Sequence, residues 1–320
     1  SVAGWLAQGG SGFGSYEYGT FKESVVSARV VLPNATVKEF SGDELLRYIA
    51  DAEGITGIIT EVTFRVRPLE THSHKLIACP TVSQLAAVLA GISDQRLPVW
   101  SISFLNPTSI ELKKSLPSHH GHPYEDDSLV IEPELPVEYL AMIAYPTSRA
   151  EAIDGPLATL VSAQGGRFLD AATAEHEWSQ RTAPMRLKRI GPSIVPTEVV
   201  VPLSELSAVL TEIDEKIKQP FVLEGMVGKG DHVVLLGYIP HDERSFAFNL
   251  AFALSLSVIK IAKAHGGSAY STGLYFGRQA ESVLGKDRVA QLKAYKAKVD
   301  PGNVLNPGKV YGAGGMLDFI

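Results

Sequence analysis

Hydrophobic residues recur every second position in some stretches of the chain and at helical spacing in others, and the switches between the two periods predict its elements. ESVVSARVVLPNATVKEF (Glu23 to Phe40) reads as two β-branched runs joined at Pro33-Asn34, residue types that turn a hairpin. GDELLRYIA follows with an Asp at a candidate helix cap and apolar residues on one face. TEVTFRVRPL then alternates like a half-buried strand. A new unit opens near His74, with a boundary expected between Leu69 and Ser73: KLIACP, TVSQLAAVLAGI and VWSISFLN read strand, helix, strand. EYLAMIAYPT and SRAEAIDGPLATLVSAQG continue as strand and helix, and AEHEWSQRTAPMR as a polar helix. A second round runs TEVVVPLSELSAVLTEIDEKI, then FVLEGMVGKGDHVVLLGYI as a hairpin. Two such rounds predict an α+β fold, an antiparallel sheet with ferredoxin-like strand-helix rounds and helices on one face.

Two stretches depart from this alternation. SVAGWLAQGGSGFGSYEYG holds five glycines by Gly14 and a sixth at Gly19, which argues against a helix and for tight turns or a loop facing a ligand. SFAFNLAFALSLSVIKIAKAH (Ser245 to His265) is apolar enough to suggest a membrane span, but Asn249, Ser255 and Ser257 interrupt it and Lys260 and Lys263 close it, so a buried or amphipathic helix is expected. SHHGHPYEDDS (Ser118 to Ser128) reads as an exposed loop, and its adjacent histidines His119, His120 and His122 as a poor preformed metal cage.

Composition narrows the function. The chain has 320 residues, 45 % of them hydrophobic, enough for two ordinary domains. A formal net charge of −6 without a dense basic block argues against nucleic acid and anionic lipid as partners. Cys79 is the single cysteine, which excludes an intramolecular disulfide and a four-thiolate iron-sulfur cage and fits a reducing cytoplasm. The first residues have neither a basic n-region nor a sustained apolar stretch, and no initiating Met.

SVAGWLAQGGSGFGSYEYG, DAEGITGIITEVTFRVRP and VDPGNVLNPGKV stand in the order and approximate spacing of FAD-linked oxidases of the vanillyl-alcohol oxidase superfamily. The chain resembles the branch holding the flavin subunit of glycolate oxidase and the D-lactate and D-2-hydroxyglutarate dehydrogenases. The resemblance covers nearly the whole chain and implies FAD as cofactor. Glycines let backbone N–H groups converge on a pyrophosphate with no Cβ in the way. By resemblance the cofactor-binding residues are Ser1, Gly4, Gly10, Gly14, Ser15, Gly19, Glu53, Gly54, Gly57, Ile58, Ile59 and Asn306. Residues 1–70 correspond to the second lobe of a two-lobe flavin domain, 71–320 to a substrate cap, with 300–320 returning to the flavin domain. The family's first lobe would precede Ser1, supplied by further polypeptide or by a protein partner.

On the substrate side, Trp178-Ser179-Gln180-Arg181 matches the family's WxxR motif, so Arg181 is the expected carboxylate anchor, a role that suits a guanidinium fork. The metal-dependent members carry an HxGDGNxH turn. Here Met226 and Val233 occupy the histidine positions, Lys229 and Asp231 those of the aspartate and asparagine, and Ser271 and Thr272 stand near a second Glu-His pair. No metal is therefore expected. The base is left open among Tyr270, Tyr275, Lys229 and His232, the last one place out of register. The expected function is oxidation of a small 2-hydroxy acid such as glycolate or D-lactate, with electrons passing to a quinone or to a protein such as an iron-sulfur acceptor. The alternative is a non-catalytic subunit of a flavoenzyme complex, and a more distant one a carboxylate sensor. The expected location is the cytoplasm, with peripheral attachment at the inner membrane through a partner as a variant.

Overall fold

The computed structural model describes residues 1–115, 133–182, 194–242, 244–245, 248–273 and 276–311. The chain divides into two compact units, Ser1–Leu69 with Ser268–Ile320, and Glu70–Gly267. The C-terminal segment thus joins the first unit from Ser268, well before residue 300.

In the first unit, β1 (Val25–Val31) and β2 (Val37–Ser41) form the hairpin expected from Pro33-Asn34. Asn34 Oδ1 accepts from the Thr36 amide, and Ala35 takes the left-handed conformation at φ 63°. β3 (Ile58–Phe64) pairs with the other side of β1, giving the order β2-β1-β3. β3 is an edge strand and mostly exposed, with Ile58 58 % accessible, where the alternation predicts a half-buried strand. Phe40, Val30, Leu6, Leu45 and Ile49 form the core, and Tyr48 stacks on Tyr295 at 4.2 Å between ring centroids.

The glycine-rich opening corrects a sequence expectation. Val2–Gln8 is an α-helix despite Gly4. Ser1 caps it by accepting the Gly4 amide at 3.1 Å, and Leu6 is 1 % exposed in the core. Gly9, at φ 86°, ends it with the left-handed cap that favours glycine. One cap and one buried leucine outweigh the propensity cost of a single glycine. The expected Asp cap of helix Gly42–Tyr48 is also displaced: Ser41 holds the cap position and Asp43 lies in the first turn, where it meets the helix dipole.

The second unit is built on an antiparallel sheet. Its strands are β4 (His72–Cys79), β5 (Ser101–Leu105), β6 (Tyr139–Pro146), β7 (Arg167–Phe168), β8 (Ile194–Pro202), β9 (Val222–Gly228) and β10 (His232–Pro240), in the order β8-β10-β9-β5-β6-β4-β7. The helices Val82–Asp94, Ala150–Ala163, Leu206–Lys216 and Phe248–Ala264 occupy the predicted places, and no helix among the described residues is long and apolar enough to cross a membrane. Strand parity puts Lys75, Ile77 and Cys79 on one face and His72, His74, Leu76 and Ala78 on the other. Asp154 of helix Ala150–Ala163 bonds Lys75 and the Tyr145 hydroxyl, which places that helix on the Cys79 face. His74 instead stacks on Trp178, so helix Ala171–Ser179 covers the opposite face. Helices therefore lie on both sides of the sheet, where the strand-helix rounds predict one side.

Candidate functional site

In the first unit the motif residues meet around a turn, Asp51 to Gly57. The Asp51 and Glu53 amides donate to the Leu6 and Ala7 carbonyls, fastening the turn to the end of the first helix. Asp51, Glu53 and Gly54 all have φ between 50° and 66°, three left-handed residues in four. Asn306 Nδ2 donates to the Glu53 carbonyl at 2.6 Å, and the Glu53 carboxylate accepts from the Gly273 amide at 3.2 Å. Burial pushes the Glu53 carboxyl up, opposed by the Gly273 amide and the Thr272 hydroxyl.

The glycines divide by what lies against them. A Cβ at Gly10 would fall 1.0 Å from the Trp5 indole nitrogen, at Gly19 2.1 Å from the Glu23 carboxylate, and at Gly57 2.3 Å from Val30 Cγ1. Gly10 and Gly57 are required by the chain's own packing, and Gly19 by its left-handed φ of 78°. Ser1 and Gly4 form the helix cap, Ser15 Oγ accepts from the Gly12 amide at 2.9 Å, Ile58 is exposed and Ile59 packs on the core. Gly14 and Gly54 differ. Both have positive φ, at 93° and 66°, and neither amide makes a hydrogen bond among the described residues, although Gly14 is buried. A buried unpaired amide fits a polar group arriving from outside the chain. Gly14 and Gly54 are thus the motif glycines with donors to offer, while Glu53 and Asn306 are bonded to each other and to Gly273 within the unit.

Tyr270 braces the same loop. Its hydroxyl accepts from the Ser11 amide at 2.7 Å and donates to the Gly9 carbonyl at 3.1 Å, so both hydrogen-bonding functions of the phenol are used there. Tyr275 lies outside the described residues, as do His119, His120 and His122.

In the second unit, Arg181 follows helix Ala171–Ser179, which Asp170 caps by accepting the Thr173 amide at 2.9 Å. The guanidinium lies 4.3 Å from the Trp178 ring and its Nη1 donates to the Trp178 carbonyl at 2.8 Å. Trp178 also stacks on His74 at 4.7 Å and meets Trp100 edge-on at 5.7 Å, while His72 lies 5.1 Å from Trp100. Glu175 and His74 Nδ1 are 2.6 Å apart, and His74 Nε2 is buried without a hydrogen-bond partner. Sequence reasoning misses this cluster. Its signal is two histidines at i and i+2, hence on one face of a strand, and their contact with Trp178 is long-range.

His232 pairs with Gly228 in the β9-β10 hairpin and its ring lies against that glycine, where a Cβ would come 2.3 Å from Nε2. Parity puts His232 on the face of Met226 and Glu224, and Val233 on the other. Glu224, also missed, is a lone carboxylate in an apolar strand. It is 8 % exposed, and burial pushes its pKa up to about 7, so it exchanges a proton near neutrality. Among the described residues no three His, Cys, Asp or Glu side chains converge as a metal site.

The C-terminal domain model of FAD linked oxidases matches residues 70–310 and an FAD binding domain model matches residues 1–41. The chain belongs to the FAD-linked oxidases, in the vanillyl-alcohol oxidase superfamily. It is 25 % identical to the mitochondrial D-lactate dehydrogenase [cytochrome] of Arabidopsis thaliana, over 97 % of this chain and 56 % of that protein. It is 24 % identical to glycolate oxidase subunit GlcD of Bacillus subtilis (strain 168), over 97 % and 68 %. The chain thus spans little more than half to two thirds of these relatives. Among solved structures, p-cresol methylhydroxylase with substrate bound superposes with a TM-score of 0.72 at 16 % identity, over 94 % of this chain and 67 % of that one. An alkyldihydroxyacetonephosphate synthase superposes with a TM-score of 0.67 at 19 % identity, over 95 % and 57 %. Both share the fold.

Proposed function

We propose that this chain supplies the second flavin lobe and the substrate cap of an FAD-dependent oxidoreductase acting on a small 2-hydroxy acid, of the size of glycolate or D-lactate. Bound FAD would supply the two-electron acceptor for the C–H bond being oxidised. The observation that carries the reading is the posture of Arg181. One nitrogen is fixed on the Trp178 carbonyl and the guanidinium rests over the indole, so the fork is already ordered when it meets a carboxylate. Gly14 and Gly54 offer amides to the cofactor, and Asn306 holds the Glu53 turn in shape. The electron acceptor is a quinone or a protein partner such as an iron-sulfur protein, reached from the cytoplasm or from a peripheral position on a membrane.

Met226 and Val233 favour a second reading, a subunit that keeps the architecture without turnover, because neither side chain can hold a hard divalent cation. Calorimetric titration of the full-length polypeptide with D-lactate and glycolate separates Arg181→Ala from the parent. The first reading expects at least about tenfold weaker carboxylate binding in the variant, the size of one lost charge-assisted hydrogen bond. Unchanged affinity removes Arg181 from the site.

A further inference from the structure

We propose that the first unit carries a separate anion site, for the phosphate group of a small phosphomonoester or for inorganic phosphate, in the cleft between helices Gly42–Tyr48 and Lys286–Val299. This goes beyond the oxidoreductase reading and does not depend on flavin. The cleft has a volume of 740 Å³ and is lined by Lys22, Arg47, Lys286 and Arg288 together with Asp43 and Asp287. Asp51 holds both floor cations, Lys22 Nζ at 2.5 Å and Arg288 Nη1 at 3.3 Å, and one carboxylate balances only one of them. Arg288 Nη2 donates to the Ala50 carbonyl, while its Nε is buried with no hydrogen-bond partner. At the rim, Arg47 reaches Asp43 only at 3.4 Å, and Lys286 makes no ion pair among the described residues. Four cations against Asp43, Asp51 and Asp287 leave an excess of one positive charge, in a chain whose net charge is −6.

Three further observations select the ligand. Helix Lys286–Val299 is 14 residues long and opens on Gly285, at φ 85°, with no side-chain cap, so its first-turn amides are left for an outside acceptor. The floor cations are held in place by Asp51, which lowers the ordering cost of binding. Leu46, 42 % exposed, and Leu284 line the cleft as an apolar wall, which suits an organic group attached to the phosphate.

The test is calorimetric titration of the full-length polypeptide with inorganic phosphate and with phenyl phosphate, at ionic strength held constant with chloride. Saturable one-to-one binding is expected, weakened about tenfold for each cation removed in Arg47→Gln and Lys286→Gln, on the scale of a charge-assisted hydrogen bond. Both substituted residues are exposed, so the fold is retained, and unchanged melting temperatures check this. Tighter binding of phenyl phosphate assigns the site to a phosphomonoester, and equal affinities assign it to phosphate alone. Absence of saturable binding, or affinities the two variants leave unaltered, overturns the proposal.

Discussion

The Tyr270 hydroxyl ties the two sides of the glycine-rich loop together, accepting from the Ser11 amide and donating to the Gly9 carbonyl across more than 250 residues of sequence. That brace holds the loop that carries Gly14, whose amide makes no hydrogen bond among the described residues. Tyr270→Phe keeps the ring and removes both bonds, so urea denaturation is expected to show a loss of about 1–3 kcal/mol. Flavin retained after desalting of the full-length polypeptide should fall with it. Unaltered stability would show that the loop is held by its other contacts.

Gly57 stands in the turn that the family resemblance assigns to the cofactor, yet a Cβ there meets Val30 in the core. Gly57→Ala is therefore expected to cost about 1–3 kcal/mol by overpacking, whether or not flavin is present. Denaturation of the apoprotein measures it. A variant as stable as the parent without flavin, but poor in flavin, would mean that the glycine serves the cofactor alone.

Glu224 makes stability pH-dependent. Its folded pKa, about 7, lies above the ordinary value of 4.5, so the folded state favours the protonated carboxyl. The stability this group permits is fully present below pH 4.5 and is lost as pH rises through about 7. Glu224→Gln is expected to be more stable than the parent by about 3 kcal/mol at pH 8, and the two should converge at about pH 4 to 5. Urea midpoints across that range would contradict the account by running parallel.

His265 sits between two carboxylates, 2.8 Å from Glu205 and 2.9 Å from Glu212, and these bonds raise its pKa above the ordinary 6.5. Its contribution is complete below pH 6.5 and disappears as pH rises through the raised value. His265→Gln should flatten the fall of stability between pH 6.5 and the raised value. A slope identical to the parent's would place the pH dependence elsewhere.

The fold is legible wherever local pattern and turn chemistry agree. Pro33-Asn34 marks the hairpin, and the strand-helix rounds from His72 to Pro240 follow the written periods. Gly4 misleads, because glycine count measures propensity while the Ser1 cap and Leu6 burial decide the outcome. Arg181 is visible through a family motif, but its seat on Trp178 is not. The contacts among His74, Trp100 and Trp178 join strand β4, the segment before β5 and a distant helix, and no window of sequence holds all three. Glu224 is readable as an odd carboxylate in FVLEGMV, but its raised pKa depends on burial between neighbouring strands.

The central claim, that Arg181 anchors a 2-hydroxy acid for oxidation by FAD, is tested most directly by anaerobic absorbance of the flavin-loaded full-length polypeptide on addition of D-lactate or glycolate. Bleaching of the flavin band near about 450 nm is expected, much slowed in Arg181→Ala and partly restored in Arg181→Lys. A flavin band that neither acid bleaches, or one that bleaches equally fast in Arg181→Ala, would contradict it.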